Sequence, residues 1–291
     1  MTKPSSPKRY NRALIAFLSL SAIGIAIGSG YLFEKIFHKV NKKYSPHDAV
    51  NTKSGVSEGW QAVRTLPNSR IPDFNIFDIN RCSSQLRLKP ERMALADSSN
   101  YGLRTATDKL GRHIPNKPQL IIIHETVIGE NETVKHFQTM HSLDDDQASY
   151  HMLIGRSGQR IRIVPDKNRA YGAGQSAFGD FTIHSKRPNV GSINNIALHV
   201  SLVSPPDGNS DATGHSGYTE AQYNTLAKQI LLWQARYGIP LDRVSMHALV
   251  DRSHSRYDPR SLRWDVFDNY HNLAARTCGF SYLTLNPITH N

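Results

Sequence analysis

Two histidines, each at the end of a short apolar run, and an aspartate before proline are the residues of this chain best suited to chemistry. His124 follows the run in Ile121-Ile-Ile-His-Glu-Thr126, His247 closes Val244-Ser-Met-His247, and Asp258 stands in Arg256-Tyr-Asp-Pro259. Two neutral imidazoles and a carboxylate suit a hydrolytic zinc, which takes three protein ligands and keeps one position for water. A lone histidine at a strand end is more often structural, and the chain holds 14 histidines. The trio therefore matters only if ordered elements bring it together. His254, shortly after His247, is a rival third ligand.

The elements that would do this alternate in type. The sequence predicts strands over 120–123, 195–203 and 244–246, and a hairpin over 150–154 and 159–164 around Arg156-Ser-Gly158. Helices are expected over 132–140 and from Thr219, where Gln222 completes a capping-box pattern and Gly238 and Pro240 end the run. A short helix is expected over 89–96, with Pro90 in its first turn. This is the pattern of an α/β domain, a mixed central sheet flanked by helices.

Several ordered motifs resemble one family. His124 after its strand, Ser149-Tyr-His-Met-Leu-Ile-Gly-Arg-Ser-Gly158, and the late His247 and Asp258-Pro259 together resemble the zinc-dependent N-acetylmuramoyl-L-alanine amidases. That family shares its fold with phage amidase-type lysozymes and animal peptidoglycan-recognition proteins. The resemblance spans roughly 117–268. It implies Zn²⁺ on His124, His247 and Asp258, with Asp258 preferred to His254 because the family ligand immediately precedes proline. It implies that Tyr150 lies beside the metal, where a phenol can donate to a developing oxyanion. Arg256 stands where relatives often carry lysine; it keeps the charge but cannot give up a proton at neutral pH.

The departures are as specific as the matches. Relatives usually carry a glutamate on the strand corresponding to 195–203, read as general base, and this strand has none. Period-2 alternation puts His199, Ser201 and Val203 on one face, and His199 is the expected substitute as proton acceptor. Glu125 is a second candidate base, although its parity points it away from His124. Gly172 stands where relatives tend to show a further histidine. Arg156 and Arg252 are guesses, from charge alone, for holding stem-peptide carboxylates.

Charge and hydropathy organise the rest. The chain has 291 residues and a net charge of +11, of which residues 1–53 carry +7, leaving +4 for the remainder. That balance argues against a nucleic-acid partner, because the basic excess flanks an apolar segment. Residues 13–33 hold no charge over 21 positions, long enough to cross a bilayer and longer than a usual cleaved signal. The expected order is a basic tail at 1–12, a transmembrane signal anchor at 13–33, a polar tether at 34–70, an extension packing on the main domain at 71–116, the zinc amidase domain at 117–280 and a tail at 281–291. The expected location is the inner or plasma membrane, the large domain facing periplasm or cell wall. Cys82 and Cys278 allow one disulfide or two free thiols. The function expected is cleavage of the amide between N-acetylmuramic acid and L-alanine of peptidoglycan. A binding module without turnover is the alternative that the missing glutamate leaves open.

Overall fold

The structure, a computed structural model, describes residues 76–209 and 212–279, all within one compact unit. The expected tail, anchor and tether over 1–70 and the tail at 281–291 lie outside the described residues. Among the described residues no helix is long and apolar enough to cross a membrane.

Strand β3, Leu120–Glu125, is an interior strand, second from one edge of the sheet. Leu120, Ile121, Ile122 and Ile123 are at most 1% exposed. Such branched side chains suit a strand covered on both faces. Parallel strands flank it, β9 (Ala197–Leu202) on one side and β10 (Val244–Met246) on the other. Beyond β9 come β4 (Met152–Ile154), parallel to it, then β5 (Arg160–Arg162), antiparallel to β4, and β1 (Arg92–Met93), parallel to β5. The result is a six-stranded mixed sheet in the order β1-β5-β4-β9-β3-β10. Two small antiparallel ladders accompany it, β2 (Tyr101–Leu103) with β6 (Asn168–Ala170), and β7 (Ile183–Arg187) with β8 (Val190–Ser192).

The period of two splits each strand between two layers. Ile121, Ile123, Leu198, Val200, Leu202, Met152, Ile154 and Val244 pack in one cluster with helix α3, Glu220–Tyr237. Helix α1 (Ile76–Leu86) and helix α5 (Trp264–Thr277) complete that layer, and a Cys82–Cys278 disulfide joins them. Both expected caps of α3 are present: Thr219 and Gln222 form a reciprocal capping box, and Gly238 ends the helix at φ 65°, where a side chain is disfavoured. On the opposite face Leu153, Ile161 and Ile163 meet Val134 and Phe137 of helix α2 (Glu130–Gln138). Leu120, Ile122 and Ala197 meet Ala173, Ile193 and Val250 there.

The helix expected over 89–96 is absent. Ala94 and Ala96 donate to the carbonyls of Arg162 and Ile163, so this segment is extended along β5. Sheet pairing supplies backbone partners that a single isolated turn could not match, and it overrides the local preference.

Candidate metal centre

Parity delivers the first ligand. Leu120 and Ile122 fill the α2-side layer, so His124, two residues on, emerges on the same side at the strand's carboxyl end. The neighbouring strand β10 runs straight into α4, the single turn His247–Val250, which sets His247 at the junction. The loop after α4 returns Asp258 to both, and its carbonyl accepts from the N–H of Ala248 at 2.9 Å.

His124, His247 and Asp258 are all buried, and one donor atom from each lies within 4.8 Å of the others. Nδ1 of His247 is 2.9 Å from Oδ1 of Asp258, and Nδ1 of His124 is 3.3 Å from Oδ2. Apart from that approach, Nδ1 of His124 and Oδ2 of Asp258 are both buried without a hydrogen-bond partner. Burial lowers the His124 pKa to about 4, leaving a neutral imidazole at pH 7. Burial alone would raise Asp258, but the His247 and His124 imidazoles hold its carboxyl well below the usual range. Two imidazole nitrogens, one carboxylate and two unpartnered buried donor atoms fit a divalent cation. His254, exposed and at φ 56°, is not in the cluster.

Tyr150 packs its ring 4.5 Å from that of His124 and meets Phe137 edge-on at 5.4 Å. Burial and the nearby Asp258 charge push its phenol upward, so it stays protonated at neutral pH. Arg256 is half-buried, and its charge acts on both His124 and Tyr150. Its loop is held by Asp251, which accepts from the backbone N–H groups of Ser253, Ser255 and Arg256. Those bonds, set against the cost of burying it, keep the Asp251 carboxyl below its ordinary value. Asp251 escaped the sequence reasoning because no motif distinguishes a loop-capping carboxylate.

His199, the expected proton acceptor, lies against His124. It is completely buried, and its Nδ1 lies 2.9 Å from Nε2 of His124, the ring edge away from Asp258. Ser201 pairs in register with His124, and its buried Oγ has no hydrogen-bond partner. Glu125 points to the far side, as its parity requires. There it receives Arg260 Nε at 2.5 Å, His215 Nε2 at 2.9 Å and Tyr218 OH at 2.8 Å. Glu125 and Arg260 thus tie the residue after His124 to the residue two beyond Asp258.

The two guessed arginines are otherwise occupied. Arg156 donates to the Gly217 carbonyl and to Gln222 at the start of α3. Arg252 donates to the carbonyls of Leu249, Asp251 and Gly179. Both act as braces of the backbone.

Together these residues make a buried two-histidine, one-carboxylate set that could hold a metal ion. A sequence model of one family, N-acetylmuramoyl-L-alanine amidase, matches residues 114–261, which include all three residues. That is about half of the chain. The chain belongs to this family and is an amide hydrolase of peptidoglycan. No curated protein matches it. Among solved structures it is similar to a selenomethionine AmpD derivative, with 20% identity over 64% of this chain and 97% of that one and a TM-score of 0.46. It is also similar to the hydrolase AmiA of Staphylococcus aureus in complex with its ligand, at 14% identity, 72% and 96% coverage and a TM-score of 0.42. A third is AMPDH3 from Pseudomonas aeruginosa in complex with anhydromuramic pentapeptide, at 19% identity, 60% and 62% coverage and a TM-score of 0.41.

Proposed function

We propose that this chain is a zinc-dependent N-acetylmuramoyl-L-alanine amidase, anchored in the inner or plasma membrane by residues 13–33 and acting in the periplasm or toward the cell wall. The observation that carries the zinc assignment is the convergence of His124, His247 and Asp258 with two of their donor atoms buried and unpartnered. When bound, zinc supplies Lewis acidity toward the amide carbonyl and activates water for attack on it.

The chain's own residues would do the rest. Tyr150, held protonated beside His124, donates a hydrogen bond to the carbonyl oxygen as charge gathers there. Arg256 adds positive charge on the same side and remains charged throughout, so it stabilises without transferring a proton. Asp251 holds the Arg256 backbone in place. No carboxylate of β9 faces the trio, since that strand reads Ala-Leu-His-Val-Ser-Leu. The Cys82–Cys278 bond supports an exported location, because disulfides persist in oxidising compartments. The uncharged segment at 13–33, flanked by lysines and arginines, supports the anchor.

The test is release of stem peptides from purified peptidoglycan, followed by mass spectrometry. Chelator-sensitive release of peptides with an L-alanine amino terminus, lost in His124→Ala, is the expected result. Binding to peptidoglycan by folded, zinc-loaded protein without release would favour recognition without turnover.

A further inference from the structure

The position of His199 makes sense as support for a ligand. Its Nδ1 lies 2.9 Å from His124 Nε2, while the other ring nitrogen of His124 faces Asp258. Two contacts hold His199, one through its backbone and one against its ring. Its own backbone N–H donates to Nδ1 of His151 at 3.0 Å. The backbone at Gly172 lies directly against the imidazole: a Cβ there would stand 2.5 Å from Nδ1 and 2.6 Å from Cγ of His199. Residue 172 does not have a positive φ, so the glycine serves space rather than a left-handed conformation.

We infer that His199 is a positioning residue, the acceptor that fixes His124 as its Nε2–H tautomer and aims an Nδ1 lone pair at the metal, and that Gly172 is the gap that admits it. This rests on the zinc assignment proposed above. A neutral imidazole carries one N–H. If Nδ1 of His124 binds the metal, that proton sits on Nε2, and the group waiting there is His199 Nδ1. Ligating histidines generally donate their second nitrogen to an outer partner, and losing that partner weakens metal binding 10–100-fold. His199 must then carry its own proton on Nε2, a buried atom without a hydrogen-bond partner among the described residues. Gly172 and His199 form one unit, since any side chain at 172 would occupy the ring's place.

The experiment measures zinc affinity of the full chain by competition with a chromogenic chelator. The variants are His199→Leu, His199→Asn and Gly172→Ala, each checked for folding by circular dichroism. Asparagine can place its carbonyl oxygen near the position of Nδ1, whereas leucine removes the acceptor. His199→Leu and Gly172→Ala are expected to bind zinc about 10–100-fold more weakly, and His199→Asn within about threefold of the parent chain. Equal affinity in His199→Leu and the parent, or equal loss in the leucine and asparagine variants, would overturn the inference. A parent chain that binds no zinc would instead overturn the metal assignment. Nitrogen-15 NMR of the unaltered chain needs no variant: coupling across the bond from a His124 Nε2–H to an unprotonated His199 Nδ1 is expected. A proton on His199 Nδ1 would refute the inference.

Discussion

Glu125 and Arg260 make the buried ion pair whose loss has the largest calculable consequence. They are 1% and 4% exposed, and Glu125 also accepts from the Arg260 backbone N–H at 3.3 Å, from His215 and from Tyr218. Glu125→Gln keeps the shape but removes the charge, and its amide NH₂ meets donors on every side. Breaking a buried pair from one partner costs about 3–5 kcal/mol, because the remaining charge is left without compensation. Arg260→Met is expected to cost a similar amount, since the guanidinium also serves the Ala212 and Gly208 carbonyls. The double variant should lose less than the two singles together, with a coupling of about 1–3 kcal/mol. Urea unfolding of the chelator-treated chain is the assay, so that bound metal does not mask the loss. Loss below about 1 kcal/mol in Glu125→Gln, or additivity within about 0.5 kcal/mol, would refute the assignment of this pair as the clamp between β3 and the Asp258 loop.

Two further outcomes follow from the same structure. Replacing Cys82 and Cys278 by serine opens a loop with a sequence separation of 196, for which chain entropy gives about 5 kcal/mol of lost stability, read from urea midpoints with and without reductant. His136 packs its ring 4.6 Å from His141, and burial followed by that neighbour lowers its pKa to about 4. Its folded value lies below the unfolded one near 6.5, so its contribution is complete above pH 6.5 and is lost as pH falls toward 4. Between pH 7 and 5 the parent chain should lose about 2 kcal/mol more than His136→Gln, measured by urea unfolding at both values.

Periodicity made the site-bearing frame legible. The isoleucine run at 121–123, the parity of His124 against Glu125, and the paired signals Thr219-to-Gln222 and Gly238 act within one element, so the chain displays them directly. Segments whose structure depends on distant partners were not legible. The 89–96 segment is extended because β5 offers it carbonyls, a fact absent from its own residues. Helix α5 buries Phe267, His271, Ala274 and Ala275 at helical spacing, but a histidine and two alanines make that stripe a weak apolar signal. At the site, spacing proposed which groups meet but not their edges. Parity puts His199 on one face with Ser201 and Val203, yet which ring nitrogen meets His124 required three dimensions. The spatial exchange between Gly172 and His199 likewise joins residues whose proximity no local pattern records.

The most direct measurement is a zinc titration of the metal-stripped full chain, following release of L-alanine-terminated stem peptides alongside bound metal. Activity should rise with zinc and saturate at about one equivalent, through the three ligands that such catalytic sites use. His247→Ala and Asp258→Ala should neither hold that equivalent nor recover release. Full release from the metal-stripped chain, or from either variant, would contradict the assignment of this site to zinc.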